Sequence, residues 1–376
     1  MSLQPSERHL QAVKPGHPHD RGGKAQPMLI VENLKKYFPI HGGLLNRKVA
    51  EVKAVDDVSF SVLKGETLGI VGESGCGKST LARLLMHLLP RDKGTLIFDG
   101  DPVDEPRGMS LRDLRRNLQM VFQDSYSSLN PRLPIEDSIA YGPSVHGMSR
   151  AKARAKAREL LEKVGLRPDL FAGRYPHELS GGQKQRVNIA RALALDPRML
   201  ILDEAVSALD KSVEAQVLNL LGYLKRHFNL TYMFISHDLH VVRYISDRVL
   251  VMYLGQVVEI GPVEDIYTQP KHPYTMALLA SRLEIDPDQR IDTPPIVGDP
   301  PNPINPPSGC RFRTRCPLAE PICAERTPTL GTGAFAASDH RAACHVTNPV
   351  AGHSFAGRSL QSIAPSEMPA RFAESA

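Results

Sequence analysis

The strongest chemical signal in the chain is the run GESGCGKST, Gly72 to Thr80. It satisfies G-x-x-x-x-G-K-[ST] in full, the pattern of a loop that cradles phosphate. Gly72, Gly75 and Gly77 let the backbone curl so that successive N–H groups point at phosphate oxygens, with Glu73, Ser74 and Cys76 in the variable positions. Lys78 is placed to bridge the β- and γ-phosphates, Ser79 to offer its hydroxyl to Mg²⁺, and Thr80 completes the motif. Cys76 is assigned no chemistry beyond its place in the loop. About 120 residues later, MLILDE (Met199–Glu204) supplies the complement. Its apolar run carries Asp203 to where a carboxylate holds Mg²⁺, and Glu204 to where one orients or deprotonates an attacking water. Together the two motifs predict hydrolysis of a nucleoside triphosphate on a parallel α/β sheet.

Such chemistry needs elements to position it. Thr67–Val71 is a short apolar run before the glycines, a buried strand. After them Leu81, Leu84, Leu85 and Leu88 follow the i, i+3, i+4, i+7 spacing of an amphipathic helix ending at Pro90. The new helix adds its positive N-terminal end to the phosphate site. Upstream, MLIVENLKKYF from Met28 and VDDVSFSVLKGE up to Lys64–Gly65 read as strands. Met199–Leu202 and Tyr232–Ile235 are further buried strands. Ser149–Val164 has helical composition, and its alternating Lys152, Arg154, Lys156 and Arg158 spread around a solvated surface helix.

Between the two motifs stands LSGGQKQR, Leu179–Arg186. Ser180 is a good N-cap for the helix that follows, and Gly181 and Gly182 allow close backbone approach, which makes a second anion-binding helix start. Here the sequence strongly resembles the ATP-binding subunits of ABC transporters, over residues 28–265. The resemblance implies that two chains sandwich two ATP molecules. Each ATP then lies between one chain's phosphate loop and the signature of the other, here Leu179, Ser180, Gly181, Gly182 and Gln183. It makes Gln123 the glutamine that senses Mg²⁺ and the membrane partner, and His237 the histidine near the γ-phosphate. Ser207, Ala208, Leu209 and Asp210 become the loop that crosses the dimer interface. Phe38 becomes the aromatic that stacks on adenine, with Tyr37 as the second choice. The implied fold is a P-loop (RecA-like) α/β core with an antiparallel β subdomain and an α-helical subdomain over about 124–182.

Three further stretches resemble the oligopeptide/dipeptide and nickel importer ATPases, and the second of their two paired ATPases in particular. They are QDSYSSLNPR (Gln123–Arg132), HGGLLNRKV (His41–Val49), and HPYTMALL (His272–Leu279) followed by NPPSGCRFRTRCPLAEPIC (Asn305–Cys323). Ser125 and Ala205 stand where that group usually has proline. The resemblance implies two integral-membrane permease subunits, a second ATPase that is a paralogue or another copy, and indirectly a solute-binding protein. It places the chain on the cytoplasmic face of the inner membrane. Peptide is the implied cargo, with nickel or another small solute as the alternative. A nucleic-acid or ribosome-associated ABC ATPase is the rival from another class, disfavoured by the single cassette and the HPYT extension.

Cys310, Cys316, Cys323 and Cys344 are spaced C-x₅-C-x₆-C-x₂₀-C, wider than zinc ribbons and ferredoxin runs, so spacing alone leaves their role open. The subfamily resemblance implies a [4Fe–4S] cluster, with structural zinc or reduced packing cysteines as alternatives. Arg311, Arg313 and Arg315 between them either offset thiolate charge or face solvent. The extension is expected to stand apart from nucleotide chemistry.

Composition bounds the rest. The 376 residues are 41% hydrophobic, enough for a sizeable core, and the net charge of +5 is too small to suggest a nucleic-acid machine. No stretch approaches the roughly 18 apolar residues of a membrane span. Residues 1–27 read as a disordered polar tail, without the apolar core of a signal peptide, and residues 346–376 as a second disordered tail. The expected domains are the ATPase over 28–268 and the extension over 269–345; seven prolines between Pro294 and Pro307 exclude helix or central strand there.

Overall fold

The computed structural model describes residues 26–42, 46–124, 127–281, 298–330, 339–364 and 367. The expected tail over 1–27 lies almost wholly outside them. Two sheets organise the ATPase part. The first is antiparallel, in the order β2-β1-β4-β5, from β1 (Pro27–Gly42), β2 (Arg47–Leu63), β4 (Lys93–Phe98) and β5 (Asp101–Pro102). Val58, Phe60 and Val62 alternate and are buried, and Val55, on the far side of the left-handed Asp57, is buried as well.

The second sheet has the order β11-β10-β9-β3-β8-β7-β6. Its parallel centre comprises β3 (Thr67–Val71), β6 (Leu118–Val121), β7 (Met199–Asp203), β8 (Thr231–Ile235) and β9 (Arg248–Tyr253). Every residue of β3, β7, β8 and β9 is buried, because helices and the antiparallel sheet cover both faces. β10 (Gln256–Pro262) and β11 (Arg341–Ala342) add antiparallel edges. The register pairs Ile70 with Ile235, Asp203 with Ile235 and Val121 with Leu202, so four carboxyl ends finish at one level. In open α/β sheets that edge is where ligands bind.

The helix after the glycine loop spans Lys78–Leu85, shorter than the leucine spacing suggests. His87 takes a left-handed conformation, and the N–H groups of Leu88 and Leu89 turn back to the Arg83 carbonyl, which leaves Leu88 exposed. The basic helix runs Arg150–Lys163 and buries only Ala153, Ala157, Leu160 and Leu161. It packs against Ile135–Val145 and against the signature helix Gly181–Leu193.

The extension starts with the helix Pro273–Ala280, joined to β10 through the buried Glu259. The Glu259 carboxylate accepts the backbone N–H groups of Lys271 (2.7 Å) and His272 (2.9 Å) and lies 2.7 Å from His340 Nε2. One expectation is corrected here. Residues 346–364, read as disordered tail, pack onto the core through Val346, Leu360 and Ile363, while His353 Nε2 reaches the Leu318 carbonyl at 2.9 Å. Their apolar residues follow no helix or strand period, so the pattern carried no warning.

Candidate nucleotide site and the extension behind it

The glycine loop leaves β3 and enters its helix through Gly77, whose φ is 108°. A Cβ there would stand 2.2 Å from the Ala54 carbonyl oxygen, so only glycine lets β2 approach the loop so closely. No side chain caps this helix, so its first N–H groups stay available to an anion. Lys78 is buried and donates from Nζ to the carbonyls of Gly72 (2.7 Å) and Glu73 (3.0 Å), with Cys76 Sγ at 3.7 Å.

Ser79 Oγ donates to Asp203 Oδ1 at 3.3 Å, which joins the loop to the end of β7. Burial holds the Asp203 carboxyl above its ordinary value, and the Ser79 bond works the other way. A divalent cation between them would reverse the burial effect and keep Asp203 ionised. Next in sequence, Glu204 adopts a left-handed conformation (φ 48°), and its N–H bonds to the Ile235 carbonyl at 2.9 Å. That turn aims its carboxylate along the sheet edge. Gln123 Nε2 donates to Glu204 Oε2 at 2.6 Å, and His237 Nδ1 lies 3.6 Å from Glu204 Oε1. Ala205, where proline is usual, is buried and leaves this arrangement intact.

The signature helix begins with a reciprocal cap. Ser180 Oγ accepts from the Gln183 N–H (3.3 Å), and Gln183 Oε1 accepts from the Ser180 N–H (3.0 Å). Leu179 is buried and Ser180 exposed. Gly182 answers to packing, since a Cβ there would meet Val213 Cγ1 at 2.5 Å. In the following loop Ser207 Oγ donates to the Glu204 carbonyl (2.9 Å), while Ser207, Ala208 and Asp210 are exposed and Leu209 is half-buried.

Tyr37 and Phe38 point to opposite sides of β1. The Tyr37 hydroxyl donates to Asp56 Oδ1, whereas Phe38 is half-buried with Lys36 Nζ 5.7 Å from its ring centre.

The four cysteines of the extension line one cavity, together with His272, Phe312, His345 and His353. Burial pushes every thiol up, Cys310 to about 11 and Cys344 to about 12, so ligation there must displace protons. His272 Nδ1 accepts the Tyr274 N–H at 3.0 Å, which places the ring proton on Nε2. That buried Nε2 has no partner, as an atom awaiting an acceptor in the cavity would. Among the described residues, however, no three His, Cys, Asp or Glu side chains are gathered tightly enough to hold a single metal ion.

Arg311 and Arg315 depart from both readings of the sequence, whereas the charge of Arg313 does favour the thiolates of Cys310 and Cys323. Arg311 donates to Asp56 Oδ2 and the Leu254 carbonyl, Arg313 to the Ser308 carbonyl (3.0 Å), and Arg315 to both Glu73 carboxylate oxygens (2.8 and 3.0 Å). The Glu73 N–H also donates to the Tyr274 hydroxyl at 2.9 Å. The extension is thus in direct contact with the phosphate loop, contrary to the expectation that it stands apart from nucleotide chemistry. Glu73 and Arg315 are 242 residues apart, and only their opposite charge hinted at the pair.

A parallel sheet with a glycine loop, two acids and a histidine at its carboxyl edge defines a P-loop ATPase. Comparison with known proteins narrows this. The ABC transporter family matches residues 55–207, and the oligopeptide/dipeptide transporter C-terminal region matches residues 258–323. The oligopeptide transport ATP-binding protein AppF of Bacillus subtilis is 52% identical over 325 residues, covering 85% of this chain and 98% of AppF. The probable peptide ABC transporter ATP-binding protein y4tS of Sinorhizobium fredii is 49% identical over 339 residues, 90% of this chain and 95% of that protein. Among solved structures, the dimeric ATP-binding cassette MJ0796 in a post-hydrolysis state with ADP and Pi is 28% identical, with a TM-score of 0.54. That match covers 63% of this chain and 99% of the cassette. The chain belongs to the ABC transporter ATP-binding proteins, in the branch that carries the oligopeptide/dipeptide C-terminal region, and it is an ABC-type ATPase.

Proposed function

We propose that this chain is the ATP-hydrolysing subunit of an importer for di- and oligopeptides. The observation that carries the reading is the gathering of Ser79, Asp203, Gln123, Glu204 and His237 at one sheet edge beside Lys78. In this reading Phe38 stacks on adenine, while the N–H groups from Gly75 to Thr80 and Lys78 Nζ hold the phosphates. Ser79 and Asp203, with Gln123, hold Mg²⁺, which neutralises charge on the β- and γ-phosphates. Glu204 accepts the proton of the attacking water, and His237 and Gln123 orient the groups around it. Leu179–Gln183 complete the site of a second ATPase, a paralogue or another copy, and Ser207–Asp210 cross the interface between the two.

Peptide cargo is supported by the descriptions of the relatives, AppF above all. Two integral-membrane permease subunits and, indirectly, a solute-binding protein complete the assembly, with this chain on the cytoplasmic face of the membrane and no nucleic acid involved. Among the described residues no helix is long and apolar enough to cross a membrane, so the permeases would supply the path. Exposed Tyr141 and Val145, one turn apart on the helix Ile135–Val145, suit contact with them. Proteoliposomes holding the permeases, this chain and its paired ATPase should take up peptides delivered by the receptor when ATP is inside. ATP-driven uptake of nickel ions and not of peptide would move the assignment to the alternative cargo.

The cysteine cavity is proposed to hold a [4Fe–4S] cluster through Cys310, Cys316, Cys323 and Cys344. Four convergent cysteines and the unpartnered His272 Nε2 support this. The group would cross-link loops that have little regular structure of their own. Protein isolated without oxygen should be brown and carry about four iron and four sulfide per chain. Colourless protein with one zinc per chain would replace the cluster by zinc, and metal-free protein would leave the cysteines to packing.

A further inference from the structure

We propose that Arg315 and Tyr274, both from the extension, are positioning residues for the nucleotide site. They hold Glu73, the second residue of the phosphate loop, so that ATP affinity depends on the extension.

Glu73 is gripped from two sides. On the inside its carbonyl accepts from Lys78 Nζ at 3.0 Å. On the outside its N–H donates to the Tyr274 hydroxyl at 2.9 Å, and its two carboxylate oxygens accept from Arg315 at 2.8 and 3.0 Å. The fork-to-fork geometry fixes orientation as well as distance. Arg315 has little freedom to leave, for its side chain is only 6% exposed and lies 6.0 Å from the Tyr253 ring centre. Tyr253, Tyr274 and Phe312 pack ring against ring behind it, with centres 4.6 to 5.4 Å apart. One strand of the ATPase, the first helix of the extension and the cysteine-bearing loop therefore meet in one wall against the loop.

Two consequences follow. The opening turn of the loop is held in its phosphate-cradling shape before nucleotide arrives, so less order is lost on binding. Arg315 also neutralises a carboxylate that would otherwise stand unpaired beside a triphosphate. Both effects act on bound ATP and on the transition state alike, so they belong in affinity and KM more than in kcat. Arg315 is followed at once by Cys316, so the fold of the cysteine loop bears on Glu73 as well.

The test is a titration of the full-length chain with a fluorescent ATP analogue, alongside steady-state ATPase kinetics. Arg315→Ala should weaken nucleotide binding ~10-fold, equivalent to about 1.4 kcal/mol, and raise KM by the same factor with kcat changed little. Glu73→Gln in the Arg315→Ala background should recover part of the affinity, because the unpaired charge is gone. Tyr274→Phe, which removes one hydroxyl, should weaken binding ~3-fold, and it carries the test if Arg315→Ala does not fold. Wild-type affinity in folded Arg315→Ala or in Tyr274→Phe would overturn the proposal, as would losses from Arg315→Ala and Glu73→Gln that add in full. The proposal rests on the phosphate-loop reading, which Lys78→Ala tests separately. If that variant binds nucleotide like wild type, the reading falls and the proposal with it; if only the Arg315 and Tyr274 variants are silent, the proposal fails alone.

Discussion

Lys78 concentrates several contacts in one buried ammonium, and its Nζ already reaches two carbonyls of the loop that would hold phosphate. Replacing it by alanine removes the only motif side chain that brings positive charge to the β- and γ-phosphates. Lys78→Ala is therefore expected to lower ATP turnover by at least ~10²–10³-fold, the cost of one lost transition-state donor. A phosphate-release assay with purified protein and Mg²⁺ measures this, and full activity would remove the loop from the mechanism. Gly77 is as restrictive in another way, because a Cβ there collides with the Ala54 backbone. Its pattern was legible in the sequence, whereas the neighbour that enforces it, from another strand, was not.

Besides its apolar packing on the core, the extension is anchored to the edge of the sheet by polar contacts of Glu259 with Lys271, His272 and His340. Burial holds the His272 imidazole far below its ordinary value, at about 3. An unfolded His272 takes up a proton near pH ~6.5, while the folded one stays neutral. Between those two values the unfolded chain binds more protons, so stability falls as pH drops, by up to about 1.4 kcal/mol per pH unit. Above pH ~6.5 the contribution is complete. Hydrogen exchange at Tyr274–Ala280 should accelerate between pH ~6 and ~5 relative to the strands β3 and β8, after correction for intrinsic exchange. Equal behaviour of helix and strands would show that His272 does not govern the anchor.

At the scale of the whole molecule, the signature and its exposed loop are the parts a single chain leaves without a use. Ser180 is exposed and its helix start is already capped, and the Ser207–Asp210 loop is mostly exposed as well. In the proposed sandwich, a second chain would give both a role. Glu204→Gln keeps the side chain's shape but cannot accept the proton of the attacking water. With ATP and Mg²⁺ this variant should accumulate as a dimer in size-exclusion chromatography, either with itself or with its paired ATPase, while the wild type hydrolyses and separates. A monomer in the presence of both candidate partners would count against the sandwich.

The phosphate loop, the MLILDE strand and the capped start of the signature helix were legible because each is local, whereas Gln123 and His237 were singled out only through the family resemblance. A strand, a tight turn and a helix start need only neighbours within a few residues, and their residue types are fixed by sterics and by phosphate chemistry. Sequence also placed the four cysteines in one region but left their relation open. What only the tertiary structure decided is long-range. The parallel register set Gln123 against Glu204, and β2 came close enough to demand Gly77. Arg311 and Arg315 turned inward to Asp56 and Glu73, and residues 346–364 closed over the core. These pairings join positions tens to hundreds of residues apart. They depend on which polar groups are left buried and unpaired once the sheets have packed, and no local pattern encodes that.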